Sequence, residues 1–174
     1  IEALGPRGQF TIDAQERRPA VLIGAGVGVT PMIAFARHLV AEGFRHRRTR
    51  PTHLIQVAHD SGSRAFAEEL KALQVEAKGA LQVHTVLSLP GDDATVLPGP
   101  FNVELLKQLL PFDDHEFFLC GPPAFMQSAY DGLRELGVRD ERIQAESFGP
   151  SSLKRRPDGA QPGAPPPEPA GEHA

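Results

Sequence analysis

The stretch Ala20-Val21-Leu22-Ile23-Gly24-Ala25-Gly26-Val27-Gly28-Val29-Thr30-Pro31 decides the fold. It opens as an apolar run of strand character, passes through closely spaced glycines and ends where a helix begins. Glycines at 24, 26 and 28 let the backbone approach an anion with no Cβ in the way, while unpaired amides at the start of the next helix face the negative charge. Thr30 is read as the cap of that helix, with Pro31 at its first position, where a missing N–H costs nothing. The spacing departs from G-x-G-x-x-G, because Val29 fills the third slot and the extra glycine falls one residue early. No Gly-Lys-Ser/Thr ends the loop, which excludes a P-loop. The expected role is a cradle for a nucleotide phosphate, a purely structural turn being the alternative.

Outward from this stretch, strand-like and helix-like patterns alternate, the sequence form of a parallel sheet covered by helices. Strand 20–24 leads into helix 31–42, whose Ile33, Ala36, Leu39 and Val40 share one face and which Gly43 is expected to close. Strand 54–58 and helix 64–73 follow. Strand 81–87 alternates apolar and polar residues, as a strand near a sheet edge does. After a loop rich in Pro, Gly and Asp at 90–100, Asn102 caps a helix carrying Leu105, Leu106, Leu109 and Leu110. Strand 116–120 ends in Gly121-Pro122-Pro123, a helix runs to Gly137, and a last strand covers 142–148. The fold class is therefore α/β, a doubly wound five-stranded parallel sheet with four helices. Its ligand belongs at the carboxyl ends of the strands, which places 24–31, 59–64, 88–93, 120–124 and 146–150 on one rim.

The chain has 174 residues and a formal net charge of −4, so nothing in its overall charge attracts nucleic acid. The run Arg45, Arg47, Arg48, Arg50 is read as a solvated loop, with docking of an acidic partner as the alternative. One cysteine, Cys120, excludes an internal disulfide and, with no leader sequence read, points to a reducing cytosol; the expected location is cytoplasmic. No stretch is apolar enough to span a membrane. The histidines show neither H-x-x-H nor H-E-x-x-H spacing, so no metal site is expected. Residues 1–12 read as a strand without partners, the mark of an excised piece. From Ser151 onward, prolines at 157, 162, 165, 166, 167 and 169 mark an extended linker or tether.

Three motifs in order, G-A-G-V-G-V-T-P-M from Gly24, F-F-L-C-G-P-P-A-F-M from Phe117 and E-S-F-G-P from Glu146, resemble the NAD(P)-binding domain of the ferredoxin-NADP reductase superfamily. The run H-D-S-G-S-R-A-F-A-E-E-L from His59 makes flavohemoglobin-type reductase domains and related flavin reductases the nearest likeness. The resemblance covers about residues 5 to 153. Gly5-Pro6-Arg7-Gly8-Gln9-Phe10 is similar to the last strand of the flavin-binding barrel that precedes this domain in the family. The implied organisation is a final barrel strand at 1–15, the nucleotide domain at 16–153 and a linker at 154–174. The barrel's Arg-x-Tyr-Ser type motif has no counterpart, so this chain alone is expected to hold FAD poorly.

The resemblance implies roles for particular residues. Gly24, Gly26, Val27, Gly28, Val29, Thr30 and Pro31 would contact the nicotinamide nucleotide, Thr30 either near the nicotinamide or as a cap only. Cys120, with Gly121 and Pro122, would pack beside the nicotinamide and orient it; a plain buried strand end is the alternative, and a covalent nucleophile the least favoured reading. Glu146 would set charge near the transferred hydride unless it is simply an exposed carboxylate. Phe148, Gly149 and Pro150 would lie against the flavin ring, Phe148 otherwise being a core plug. Asp60 suits the free 2′-hydroxyl of NADH, whereas Ser61, Ser63 and Arg64 suit the phosphate of NADPH; Asp60 tips the reading to NADH. The implied activity is acceptance of NAD(P)H and passage of hydride to FAD in an adjacent barrel domain. The acceptor beyond would be a haem or a [2Fe-2S] centre in a ferredoxin-like domain. A nucleotide-binding regulatory module without turnover is the alternative. A dehydrogenase acting directly on a substrate is disfavoured, since no Tyr-x-x-x-Lys pair is present and Tyr130 falls inside a predicted helix.

Overall fold

The computed structural model describes residues 10–148 and 153–159. Six strands form one sheet: β1 (Ala20–Ala25), β2 (Thr52–Ala58), β3 (Leu81–Leu87), β4 (Leu97–Pro98), β5 (Glu116–Gly121) and β6 (Ile143–Ser147). Every pairing is parallel and the order is β4-β3-β2-β1-β5-β6. The helices are α1 (Val29–His46), α2 (Ala67–Glu76), α3 (Val103–Leu109) and α4 (Pro123–Glu135). From β1 the chain steps outward through β2, β3 and β4, then returns to the other side of β1 for β5 and β6. The direction of winding reverses between β1 and β5, the kind of crevice where open α/β sheets take ligands.

Strand β1 is buried along its whole length, as a central parallel strand covered on both faces must be. Its even residues join Leu54 and Phe118 under α1 and α2, where Met32, Ile33 and Leu70 close one core. Val21 and Ile23 face the other way and meet Ile55, Leu119, Leu106, Met126 and Leu133 under α3 and α4. The period-two pattern of the sequence is thus the division between two cores.

The structure departs from the sequence reading at definable points. The sheet has a sixth strand inside the expected 90–100 loop, because Leu97 and Pro98 pair with Val86 and Leu87. Helix α1 begins at Val29, earlier than expected, with Gly28 in the cap position and no side-chain cap bond. Thr30 is therefore not the cap, and Pro31 is the third helical residue. A tight turn at Gly26–Gly28 runs straight into the helix, leaving no extended residue from which a threonine side chain could reach back. Gly43 does not stop α1 either. It lies within the helix, where a Cβ would run into the Thr49 side chain, and Arg47, at φ 57°, ends the helix instead. Helix α2 likewise starts later than read, after Phe66 at φ 60°. Phe10 to Ile12 are not strand; Phe10 packs its ring on Phe35 and Phe118. Residues 1–9 of the expected barrel strand lie outside the described residues.

Arg50 is the sharpest correction to the solvated-loop reading, since it is 0 % exposed. Its Nε donates to the Arg18 carbonyl (2.6 Å), Nη1 to the Asp13 carbonyl (2.9 Å) and Nη2 to Glu116 Oε1 (2.9 Å). The guanidinium stacks 6.0 Å from the Phe118 ring centre. One buried cation thus ties the entering segment to β5. The first residues of the expected linker are also fixed, with Lys154, Arg156 and Asp158 bonded to Gln127, Tyr130 and Arg134 of α4.

Candidate functional site

Parallel register brings the three motifs together. Gly24 of β1 pairs with Cys120 of β5, and Cys120 pairs with Glu146 of β6, so the three stand side by side near the carboxyl edge. On the other flank, Gly24 pairs with Gln56 of β2. The turn after β1 also rests on the turn after β5: a Cβ on Gly28 would lie 2.2 Å from the Cys120 carbonyl oxygen and 2.8 Å from the Gly121 nitrogen.

The three glycines serve different ends. A Cβ on Gly24 would stand 2.7 Å from both the Gly28 oxygen and Val29 Cα, so Gly24 lets the turn fold back on its own strand. Gly28 lets the turn touch β5. Of the three, Gly26 is open: its φ of +59° is the left-handed region that glycine favours, and among the described residues no atom beyond its chain neighbours lies within 4 Å of a Cβ built there. Gly26, Val27 and Thr30 are exposed, whereas Gly28 and Val29 are buried. Helix α1 carries no acidic residue in its first turn, so its unpaired amides and positive dipole end face the rim without a resident carboxylate. That combination suits a pyrophosphate.

Cys120 is fully buried, and burial pushes its thiol up to about 11, with the Glu146 carboxylate acting in the same direction. A thiol held protonated in this way is a packing surface rather than a nucleophile. Gly121 is buried, with Ala25 and Phe125 against it, and Pro122 caps α4, as the sequence indicated. Glu146 is exposed at the rim, and Phe148 is 46 % exposed, so Phe148 is not a core plug. Gly149 and Pro150 lie outside the described residues.

At the β2 end of the rim, Asp60 caps a short turn at Ser61–Ser63. Its Oδ1 accepts from the Ser63 amide and hydroxyl, both at 2.9 Å. Those bonds hold its carboxyl below the usual range, so it stays ionised at neutral pH. Arg64 follows, with a buried Nε that has no hydrogen-bond partner among the described residues and with the charge of Asp93 nearby. Sequence reasoning missed Gln56, Phe66 and Leu89 here. Gln56 Nε2 donates to the Ala65 carbonyl (2.7 Å) and sets the loop, while Phe66 (44 % exposed) and Leu89 (58 %) give the rim an apolar side. For Phe66 and Leu89 the available signal was a large apolar residue in an otherwise polar loop on the expected rim.

A second cluster sits away from this rim. His53 Nδ1 and His84 Nε2 are 3.3 Å apart in parallel rings, and His115 meets His53 edge-on. Among the described residues no group of three His, Cys, Asp or Glu is arranged to hold a metal ion, and no helix is long and apolar enough to cross a membrane.

The family profile described as "Oxidoreductase NAD-binding domain" matches residues 22–131, the span from β1 into α4. The chain belongs to this family. Within this oxidoreductase NAD-binding domain family it is 38 % identical over 158 residues to a flavohemoprotein of Rhodopirellula baltica, covering 86 % of this chain and 37 % of that protein. A Chromobacterium violaceum flavohemoprotein is 34 % identical over 154 residues, with the same coverage. Among solved structures, the flavohem-like FAD/NAD binding domain of nitric oxide dioxygenase from Vibrio cholerae matches with TM-score 0.68 and 32 % identity, over 82 % of this chain and 56 % of that one. A Malassezia yamatoensis flavohemoglobin, solved with bound FAD and heme, matches with TM-score 0.65 and 31 % identity, over 80 % of this chain and 33 % of that one. The chain therefore spans just over a third of the length of the curated flavohemoproteins it matches. As an NAD-binding oxidoreductase domain, it has the expected α/β fold of the ferredoxin reductase-like group.

Proposed function

We propose that this domain holds NADH across the rim from Asp60 to Glu146, with the nicotinamide end beside Cys120, and presents it to FAD held by an adjoining barrel domain. The observation that carries the reading is the seating of Gly28 on the Cys120–Gly121 peptide. It sets the open Gly26 turn and the start of α1 next to the strand ends that carry Cys120 and Glu146. When bound, the reduced nicotinamide supplies a hydride for the flavin, and the acceptor beyond is a haem or an iron–sulfur centre.

The chain's own contribution is positional and electrostatic. Backbone amides at Val27 and Thr30, with the dipole of α1, hold the pyrophosphate. The Cys120 thiol, kept neutral by burial, offers a polarizable wall without competing chemistry. Glu146 places a negative charge at the rim, favouring the positive charge that the nicotinamide gains on oxidation. Phe148 presents an apolar face where a flavin ring would stand. The ionised Asp60 accepts from a ribose hydroxyl and repels a 2′-phosphate, which favours NADH over NADPH.

Two titrations test this reading. Wild-type chain and Asp60→Ala are each titrated with NADH and NADPH by calorimetry. Tighter NADH binding by the wild type, moving toward NADPH in the variant, supports it; an unmoved preference removes the role given to Asp60. Mixing the chain with a flavin-loaded barrel domain and NADH then follows flavin bleaching. Binding without bleaching would point to a regulatory nucleotide-binding module instead.

A further inference from the structure

Glu146 stands on β6 and Phe148 directly follows it; among the described residues this edge strand pairs only with β5. Strand ends held on one side fray, and a nicotinamide pocket built on such an end needs a second hold. Residues beyond the rim supply one. Lys154 donates its amide to Gln127 Oε1 (2.9 Å) and accepts at its carbonyl from Gln127 Nε2 (3.0 Å). The Arg156 amide donates to the Tyr130 hydroxyl (2.7 Å), and Asp158 Oδ1 accepts from Arg134 Nη1 (2.9 Å). Gln127, Tyr130 and Arg134 share one stripe of α4, so the segment follows that helix away from its N-terminus.

The segment also reaches across to β6. Arg155 Nε donates to Asp140 Oδ1 (3.1 Å), and its Nη2 donates to the carbonyls of Asp140 (3.0 Å) and Ile143 (2.5 Å), the first residue of β6. Its guanidinium lies 5.6 Å from the ring centre of Tyr130, which is fully buried and donates its hydroxyl to Asp140 Oδ1 (2.6 Å). Asp158 Oδ1 accepts from the Asp140 amide (2.9 Å). The entrance to β6 is thus gripped by Arg155 and Asp158. Lys154, further along the chain than Phe148, is tied back to Gln127 of α4.

We propose that residues 153–158 are a strap that positions the end of β6, with Arg155 as the positioning residue that sets Glu146 and Phe148 beside Cys120. This rests on the reading of the rim as a nicotinamide dinucleotide site and adds to it a determinant outside the three motifs. A strap of this kind pre-organises only the nicotinamide end, because the amides of the Gly26 turn and the loop at Asp60 stand on other elements.

The test compares NADH with ADP-ribose, which lacks the nicotinamide, in the wild-type chain, Arg155→Ala, Arg155→Lys and Tyr130→Phe. Tyr130→Phe keeps the buried ring and removes only the hydroxyl, so the inference stays testable if Arg155→Ala folds poorly. The expected result for Arg155→Ala and Tyr130→Phe is NADH affinity weakened about three-fold or more with ADP-ribose affinity held within about two-fold. Arg155→Lys, which can serve one carbonyl or Asp140 but not all three, is expected to fall between Arg155→Ala and wild type. Equal losses for both ligands would mean general destabilisation and overturn the proposal, as would no change for either. If wild-type chain binds neither ligand, the nucleotide-site reading itself fails, and the strap with it.

Discussion

Replacing Gly28 with alanine probes the contact on which the rim is built. The added Cβ would stand 2.2 Å from the Cys120 carbonyl oxygen, 2.5 Å from its carbon and 2.8 Å from the Gly121 nitrogen. The closest of these is more than 1 Å inside ordinary van der Waals separation. The neighbours are backbone of a central strand, which cannot swing aside as a flexible side chain would. Overpacking in such a place costs typically 1–3 kcal/mol, and the rigid partners put this case near the upper end, at about 3 kcal/mol. For a domain of this size each kcal/mol moves the thermal midpoint by about 2–4 °C, so Gly28→Ala should melt roughly 6–12 °C below wild type. Gly26→Ala is the matched control. It meets nothing within 4 Å and carries only the strain of its φ of +59°, about 1 kcal/mol or 2–4 °C. Thermal unfolding followed by far-ultraviolet circular dichroism reads both. Gly28→Ala melting at or above Gly26→Ala would refute the packing of the glycine turn on β5.

Other outcomes follow from buried groups. With the Cys120 thiol pushed up to about 11, about one molecule in a thousand carries thiolate at pH 8, so iodoacetamide should label folded protein far more slowly than urea-unfolded protein; equal rates would contradict its burial. Arg50→Ala strands the Glu116 carboxylate and two carbonyls and should cost roughly 3 kcal/mol in urea unfolding. Arg47→Gly, at φ 57°, should stabilise by about 1 kcal/mol in the same assay, and a loss of stability instead would contradict the left-handed end of α1. His53 is held down to about 4 by burial, with the nearby His84 and His115 adding to the effect. Its unfolded form takes up a proton near 6.5, so the unfolded state binds more protons between those values and stability falls as pH falls through that window. Between pH 7.5 and 4.5 the loss from His53 should be about 2–3 kcal/mol, and His53→Leu should flatten the profile by a similar amount. A variant profile parallel to wild type would exclude His53 as the source.

The alternation of the sequence carried most of the architecture because central parallel strands such as Leu22–Ile23 and Phe118–Leu119 must be apolar on both faces. Asn102 and Pro122 were readable because their effects are local: Asn102 Oδ1 accepts from the Leu105 amide at 3.1 Å, and Pro122 stands directly before α4. Features fixed by distant partners were not readable. Leu97–Pro98 is too short to show a period, and Arg50 is buried only because three partners far along the chain converge on it. The strap is mostly polar and contains Pro157, so its composition suggests a linker, while its hold depends on Tyr130, Asp140 and Arg134. At the site, the motifs stand on neighbouring strand ends, but the sequence offered one reason for all three glycines. The structure assigns only Gly26 to open space and makes Gly24 and Gly28 packing residues.

The convergence of the motifs on one nucleotide site is most directly tested by titrating ¹⁵N-labelled chain with NADH and following its amide resonances. The expected shifts are largest at Val27, Val29, Thr30, Gly121 and Ser147, on three separate strand ends, and small in the groove of about 490 Å³ between α3 and α4, at Asp131 and Glu135. Shifts centred on that groove, with the amides of the Gly26 turn unmoved, would contradict it.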